Sequence, residues 1–309
     1  MKVEYAIIVK NKTRLEFLVE RFNTRAQARF YIERQGGDFL DYEAEHETFH
    51  QSLQTLQIQL SGIVKHKIVE RAFLPSYLFA ENQMIVVIGQ DGLVANTAKY
   101  SKGLPIVAVN PDAARYDGIL LPFNLDNFTS GVGSVMNDTF KVQEVRFAEA
   151  VLNDGQRLLA FNDLFIGAST HVSARYRISF GRETEEHSSS GLIVSTPAGS
   201  TGWLSSIFNM AYGVTGLFEK NLKPKRPKLK PDELLFAVRE PFKSLKTQTA
   251  ISAGVIRGDL SLRIESLMPT NGVIFSDGIE SDFLRFNSGS VATVRVAREK
   301  ARLVTRNMG

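Results

Sequence analysis

Asp91 lies in a glycine-containing turn, Gly89-Gln90-Asp91-Gly92, directly after the apolar stretch Met84 to Ile88. An unbroken run of apolar, mostly β-branched residues predicts a strand that is buried on both faces. In open α/β sheets ligands bind beyond the ends of such strands, where glycine lets phosphates approach the backbone. Asp91 is therefore a candidate catalytic acid or base, although a solvated aspartate in a surface turn has the same pattern.

A second polar loop, Ser195 to Trp203, has the sequence S-T-P-A-G-S-T-G-W. It lies between a predicted strand, Leu192 to Ser195, and a predicted helix, Thr201 to Tyr212. Hydroxyls and exposed amides at the start of a helix suit the oxygens of a phosphate or ribose. A helix N-cap followed by a turn of small residues explains the same sequence, so both interpretations stay open.

The segment His46 to His50 matches the H-E-x-x-H pattern of zinc peptidases, in which two histidines one helical turn apart bind the metal. A peptidase needs a third ligand, and His66, His171 and His187 have no motif-like spacing to supply one. The charged residues around the pair are typical of an exposed helix face. We therefore expect a chance match and no metal held by protein side chains.

The segment 223–231 alternates basic residues with prolines. Prolines and like charges oppose a packed structure, so we predict a solvated, extended loop. A basic lip that attracts phosphates is the alternative.

The composition is that of a globular protein long enough for two domains, with 309 residues, 43% hydrophobic and 23% charged. A net charge of +4 favours small anionic ligands and is too low to predict a nucleic-acid partner. The lack of cysteine excludes disulfides and thiolate chemistry. No secretory signal or long apolar run is visible, so we expect a cytoplasmic protein with no membrane partner.

Two kinds of element are predicted to position these loops. Residues 1–123 contain buried strands separated by helices, which predicts an α/β domain with an open, mostly parallel, Rossmann-like sheet. Residues 124–137 are rich in Asn, Asp, Gly and Ser, as in a connection. Short strands then recur at the spacing of an antiparallel domain, starting with a hairpin at Asn153-Asp154-Gly155 whose second strand is Arg157 to Gly167. The further predicted strands are Ala174 to Phe180, Leu192 to Ser195, Leu234 to Val238, Thr249 to Ile256, Leu260 to Glu265, Gly272 to Ser276 and Val291 to Val296. We place a mainly β domain, a β-sandwich, at 124–309, with the last ten residues, 300–309, able to pack back on the first domain.

Taken together, these fragments resemble the NAD kinase family over nearly the whole chain and in the expected order. The motifs similar to those of the family are the turn at Gly89 to Gly92, the pair Asn162-Asp163, the loop Ser195 to Trp203 and the pair Asp277-Gly278. The stretches Val109 to Phe123 and Phe236 to Phe242 look more like the mitochondrial-type branch than the common bacterial one.

The resemblance implies transfer of the terminal phosphoryl group of ATP, or in some members polyphosphate, to the 2′-hydroxyl of the adenosine ribose of NAD. It implies Mg²⁺ or another divalent cation bound through the nucleotide phosphates, an NAD-binding second domain, and a homodimer or homotetramer. Asp91 is the implied catalytic residue. The residues implied at the ATP phosphates are Gly89, Gln90, Gly92 and Asn110. Those implied at NAD are Asn162, Asp163, Thr196, Ser200, Thr201, Gly202 and Trp203, with possible further contacts from Asp112, Arg115, Ser190 and Asp277.

The chain departs from the family at the phosphate turn, where Gln90 replaces the second glycine, and at Trp203, which replaces a tyrosine. A glutamine side chain there either hinders phosphate approach or supplies an amide donor. Two alternatives therefore stay open. One is a non-catalytic nucleotide-binding protein with a degenerate phosphate loop, and the other is a kinase on the same scaffold for a lipid or sugar hydroxyl.

Overall fold

A computed structural model describes residues 3–219 and 225–306, with the backbone alone at Glu280 and Ser281. The chain divides into two compact units, unit 1 with Met1–Glu144 and Ala301–Gly309, and unit 2 with Val145–Lys300. The strands of unit 1 are β1 (Tyr5–Lys10), β2 (Lys65–Glu70), β3 (Gln83–Ile88) and β4 (Pro105–Val109). Its helices are α1 (Arg14–Phe22), α2 (Arg25–Arg34), α3 (Phe39–Ser61), α4 (Asp91–Tyr100) and α5 (Phe128–Met136), with a 3₁₀ turn at Arg71–Ser76.

The sheet of unit 1 is parallel, in the order β2-β1-β3-β4. A later strand, β16 (Val291–Val304), adds Arg302 and Leu303 beside β4, also in parallel. The chain passes from β1 to β2 on one side and then to β3 on the other side of β1. Ligands of open α/β sheets bind at such a reversal, beyond the carboxyl ends of the strands. In this sheet those ends are Lys10 and Ile88.

The segment 124–137 is not the irregular connection that its composition predicts, because it contains the helix α5. Phe128, Val132 and Val135 follow helical spacing and pack into the core of unit 1 against β4. The glycines, serines and asparagines of this segment concealed that spacing. Unit 1 consequently extends to Glu144, beyond the predicted boundary at residue 123.

Unit 2 contains two antiparallel sheets. The strands are β5 (Val142–Leu152), β6 (Arg157–Ala160), β7 (Asp163–Ala168), β8 (Ala174–Phe180), β9 (Glu183–Ser189), β10 (Leu192–Ser195), β11 (Glu233–Val238), β12 (Ala253–Arg257), β13 (Leu262–Ser266), β14 (Gly272–Ser276), β15 (Ile279–Arg285) and most of β16, and the helix is α6 (Trp203–Thr215). One sheet has the order β12-β11-β10-β7-β14-β15. The other includes β16-β13-β8-β9, with β5 beside β16 and β6 beside β5. Apolar side chains of both sheets form one core, so the predicted β-sandwich is confirmed, as is the α/β fold of unit 1.

The predicted hairpin at Asn153-Asp154-Gly155 joins β5 to β6, as expected. The prediction of one strand from Arg157 to Gly167 was wrong, because the chain leaves β6 at Phe161 and enters β7 in the other sheet. This break leaves residues 161 and 162 outside both sheets, and the candidate site of unit 2 forms around them.

Within residues 3–219 and 225–306, no helix has both the length and the apolar character needed to cross a membrane. Lys223 and Pro224, which begin the predicted basic loop, lie outside the described residues. The stretch 225–230 has no regular structure and is mostly exposed, as predicted for a solvated loop.

Candidate functional site

The carboxylate of Asp91 is held in place by the backbone of a neighbouring loop. Its Oδ1 accepts a hydrogen bond from the Leu120 N–H (2.8 Å), and its Oδ2 accepts one from the Ile119 N–H (3.2 Å). Asp91 is also the first residue of α4, where the helix dipole favours a negative charge. The side chain is half-buried, so it is fixed in position and still open to a ligand.

Gly89 is required by the turn that carries Asp91. Its φ is +156°, and a Cβ at this position would lie 2.9 Å from the Leu93 Cδ2 atom. Gln90 is exposed and precedes α4 without forming a side-chain cap. No heavy atom lies within 4 Å of a Cβ built on Gly92. The start of α4 is therefore open on this side, as an anion-binding helix N-terminus needs to be.

A cavity of about 340 Å³ lies at the reversal point of the sheet. It is lined by Asn11 to Arg14, which follow β1, and by Gly89, Gln90 and Gly92 of the turn that follows β3. Arg71, which follows β2, also lines it and has no ion pair among the described residues. Sequence reasoning missed these basic residues. Their position directly after β1 and β2 was the available signal, since these strands flank the reversal point.

Asn110, Asp112 and Arg115 shape the loop that holds Asp91. The buried Asn110 donates from Nδ2 to the Tyr116 carbonyl (2.9 Å) and accepts at Oδ1 from the Asp112 N–H (3.0 Å). Arg115 forms an ion pair with Asp41 (2.8 Å). These side chains are thus committed to contacts within the protein. We infer that Asn110 acts on a ligand through the loop.

In unit 2, Asp277 fixes the backbone between β6 and β7. Its carboxylate accepts the N–H groups of Phe161 (2.9 Å), Asn162 (2.6 Å) and Asp163 (3.2 Å). Asp277 adopts a φ of +55°, a region in which aspartate and asparagine are better tolerated than most residues. The pair Asn162-Asp163 is therefore positioned by a residue more than a hundred positions further along the chain.

The loop Ser195 to Trp203 folds against the same backbone. The buried Thr196 donates its hydroxyl to the Phe161 carbonyl (2.6 Å) and accepts the Gly199 N–H (3.2 Å). Gly199 packs so closely that a Cβ there would lie 2.4 Å from the Asn162 carbonyl oxygen. Ser200 donates to the Pro197 carbonyl (2.7 Å). The predicted helix starts at Trp203 instead of Thr201, because Gly199–Thr201 forms a 3₁₀ turn first.

Trp203 lines one cavity of unit 2, and Ser190 lines another. Phe165 and Arg239 line both. The Trp203 ring stacks on Phe165, with centroids 5.7 Å apart, and Arg239 lies over Trp203 at 5.5 Å. The cavity beside Trp203 measures about 460 Å³ and also contains Phe275. A flat ring and a guanidinium could hold an aromatic or anionic group there. Arg239 and Phe165 were not predicted as site residues, although Arg239 lies in a stretch that resembles the family.

Asp163 is an acid of this site that is half-buried as a residue and has a buried Oδ1 atom. Burial raises its pKa from 3.8 to about 7, the Ser195 hydroxyl opposes this shift, and the charge of Asp277 adds to it. The Asp163 Oδ1 atom has no hydrogen-bond partner among the described residues. A buried carboxyl group with a free oxygen, at a strand end, is a candidate for contact with a polar ligand.

The raised pKa of Asp163 predicts that stability falls as pH rises. The folded protein keeps this proton up to about pH 7, whereas the unfolded chain loses it near 3.8. The contribution of Asp163 to the free energy of unfolding is therefore complete below pH 3.8 and is lost as the pH rises to about 7. A pKa shift of one unit corresponds to about 1.4 kcal/mol of unfolding free energy. The protein should therefore lose at most a few kcal/mol of stability over this pH range.

Urea unfolding of the wild type and of Asp163→Asn at pH 5 and pH 8 measures this effect. Asparagine has the shape of the protonated acid and does not titrate. We expect the wild type to lose more stability than the variant between the two pH values. Equal losses in both proteins would contradict the assignment.

No family model matches the chain. The NAD kinase of Saccharolobus islandicus is 29% identical over 125 residues, which is 40% of this chain and 48% of that protein. The NAD kinase of Finegoldia magna is 31% identical over 157 residues, covering 47% of this chain and 56% of that protein. The chain thus spans about half the length of the curated relatives it matches.

Solved structures match over a larger part of the chain. The crystal structure of an NAD kinase from Archaeoglobus fulgidus in complex with ATP has a TM-score of 0.56 at 14% identity, covering 99% of this chain and 94% of that chain. Yeast NADH kinase complexed with NADH has a TM-score of 0.56 at 13% identity, covering 99% of this chain and 85% of that chain. The α/β unit and the β-sandwich unit therefore define a protein with the NAD kinase fold. The sequence relatives add that part of this chain is similar to NAD kinases, over about half of their length.

Proposed function

We propose that the protein is an NAD kinase that transfers the terminal phosphoryl group of ATP to the 2′-hydroxyl of the adenosine ribose of NAD, giving NADP. The observation that carries the proposal is the placement of Asp91. Its carboxylate follows the central strand β3 and is fixed by the Ile119 and Leu120 N–H groups. The relatedness to NAD kinases supports the same reaction.

Asp91 would orient and deprotonate the ribose hydroxyl. As the hydroxyl oxygen bonds to the terminal phosphorus and ADP leaves, the hydroxyl proton passes to the carboxylate. Two backbone donors hold the carboxylate, and each of its oxygens retains a lone pair for this proton. Phosphoryl transfer depends mainly on alignment and charge stabilisation, which a fixed carboxylate and backbone amides supply.

The phosphates would bind at the start of α4 and beside Arg71, a basic residue of the cavity that has no ion pair among the described residues. Mg²⁺ fits this arrangement when it is held mainly by phosphate oxygens and water. The nearby carboxylates already have partners within the protein. Asp91 accepts two backbone hydrogen bonds, and Glu45, which lines the cavity, is paired with Arg14. When bound, Mg²⁺ would neutralise charge on the phosphates.

NAD would bind in unit 2 around Asn162, Asp163, Thr201, Gly202 and Trp203. Asp163 can donate or accept a hydrogen bond at an adenine or ribose, depending on its protonation. We assign Thr196, Ser200 and Asp277 the role of positioning this backbone, because their polar groups already bond to it or to their own loop. Ser190 remains a possible contact near Arg239.

Arg71→Met is expected to raise the KM for ATP about tenfold, with a smaller change in kcat. The guanidinium has no ion pair among residues 3–219 and 225–306, so its charge is available to a phosphate. Steady-state kinetics with varied ATP measure the change. Lys102→Met is the control, because Lys102 is an exposed cation of the same unit that does not line the cavity. Equal effects of the two variants would contradict the assignment of Arg71.

The second candidate is a nucleotide-binding protein without kinase activity. Gln90 favours it, because an exposed glutamine stands at the position of the family's second glycine. NADP formation from NAD, ATP and Mg²⁺ by the purified chain decides between them. NAD binding in calorimetry without NADP formation would favour the binding protein, and transfer to another hydroxyl would favour a lipid or sugar kinase.

The proposal also includes properties that rest on the family resemblance. These are a homodimer or homotetramer, a cytoplasmic location, and small nucleotides as partners in place of nucleic acid or membrane. ATP is the proposed donor, and polyphosphate is tested beside it in the same assay. Assignment to the mitochondrial-type branch stays a prediction.

A further inference from the structure

Two histidines and a carboxylate converge on the helices α1 and α3 of unit 1. His46 and His50 lie one turn apart on α3, and Glu16 lies on α1. One ligand atom of each lies within 4.8 Å of the others. The sequence pattern H-E-x-x-H lacked a third histidine, and the structure supplies a carboxylate from another helix in its place.

We propose that Glu16, His46 and His50 form a binding site for a transition-metal ion, with Zn²⁺ preferred over Mg²⁺. Two imidazoles and one carboxylate are ligands that suit Zn²⁺ and its neighbours in the first transition series. Mg²⁺ prefers an octahedral shell of oxygen atoms and dehydrates reluctantly. The site is distinct from the Asp91 turn, and it does not depend on the proposed kinase activity.

Hydrogen bonds already orient the three side chains. His50 Nε2 lies 3.1 Å from Glu16 Oε1, and the two imidazole centroids are 4.3 Å apart. His46 Nδ1 lies 2.9 Å from the Thr13 hydroxyl, which leaves Nε2 as its ligand atom. A hydrogen bond to the second ring nitrogen is the usual support of a metal-binding histidine. Glu16 Oε2 accepts the Thr13 N–H (2.7 Å), which fixes the carboxylate at the start of α1.

The surroundings leave room for the ion and do not repel it. A cavity of about 550 Å³ borders Glu16 and His46, so water can complete the coordination shell. The nearby cations are already paired, Lys12 with Glu20 at 2.8 Å and Arg25 with Glu43 at 2.6 Å. Glu47, the would-be general base of a peptidase, is exposed, so we infer metal binding alone.

Equilibrium dialysis of the metal-free full chain against Zn²⁺, in excess Mg²⁺ and without nucleotide, tests the site. We expect one Zn²⁺ per chain and at least about a 100-fold loss of affinity in His46→Ala and in His50→Ala. Co²⁺ in place of Zn²⁺ should give visible absorption that both variants lose. His171→Ala is the control, because His171 is an exposed histidine outside the cluster.

Glu16→Gln separates the loss of a metal ligand from a loss of helix structure. Glutamine keeps the reciprocal hydrogen bond with the Thr13 backbone that caps α1, and it removes the carboxylate charge. We expect unchanged helix content by circular dichroism and at least tenfold weaker Zn²⁺ binding. The proposal is overturned when the wild type binds no Zn²⁺, when the cluster variants bind as tightly as the wild type, or when His171→Ala loses affinity equally. Because no nucleotide is present, absence of kinase activity has no bearing on this result.

Discussion

Asp91→Asn is expected to lower the rate of NADP formation by about 10²- to 10⁴-fold, the usual contribution of a general base. Asparagine keeps the shape of the side chain but cannot accept the ribose proton. In asparagine an amide N–H₂ group also replaces one of the two carboxylate oxygens. This group cannot accept the hydrogen bond from the Ile119 or Leu120 N–H. That loss costs about 1 kcal/mol of stability, so the protein should stay folded.

A coupled assay with NAD, ATP and Mg²⁺ measures the rate, and thermal unfolding checks the fold. Asp112→Asn is the matched control, since Asp112 also accepts backbone N–H groups, those of Ala114 and Arg115, in the loop that follows β4. We expect this control to retain activity within a few-fold of the wild type. Near-normal activity of Asp91→Asn would reject the catalytic role of Asp91. An equal loss in the control would show that loop structure, and not proton transfer, is responsible.

Asp277→Ala is expected to lower the free energy of unfolding by roughly 3–5 kcal/mol. The substitution leaves the N–H groups of Phe161, Asn162 and Asp163 without their acceptor, at about 1–3 kcal/mol each, and the lower half of that range applies because these hydrogen bonds are only part-buried. Alanine is also less favourable than aspartate at a φ of +55°. Because the same backbone carries the proposed NAD contacts, NAD affinity should fall as well.

Urea unfolding measures the stability, and Asp277→Asn is the informative comparison. Asparagine tolerates the same backbone conformation and keeps one acceptor oxygen, so we expect about half of the destabilisation or less. An equally small loss of stability in Asp277→Ala and Asp277→Asn would contradict the prediction, because it would show that the three hydrogen bonds do not hold this backbone in place.

The buried strands were the part of the fold that the sequence predicted well. Ala174–Phe180, Leu192–Ser195 and Gly272–Ser276 have the predicted bounds, because central strands require continuous or alternating apolar residues. The strands β9 and β15 were missed. Both lie at the edge of a sheet, where polar residues are tolerated on both faces. The helix α5 was missed because glycine and serine between its core residues resemble a loop.

The site was predictable where chemistry is local in sequence, as in the turn around Asp91. It was not predictable where the contacts join distant segments. Nothing near Glu16 indicates that it faces the histidines of α3, and nothing near Arg71 places it in the cavity beside Gly89. Thr196 shows a further limit, since a hydroxyl that looks free for a ligand is used by the Phe161 carbonyl.

The strand β16 links the order of synthesis to the order of folding. Residues 145–300 of unit 2 are contiguous, whereas unit 1 receives Arg302 and Leu303 beside β4 only after all of unit 2 has been translated. Phe123 already pairs with Val109 on this edge, but until then Pro105 and Ile106 at the start of β4 have no partner there, which leaves a short template for pairing with other chains. On the ribosome the β-sandwich can therefore complete its pairing first, and the α/β sheet completes its pairing last.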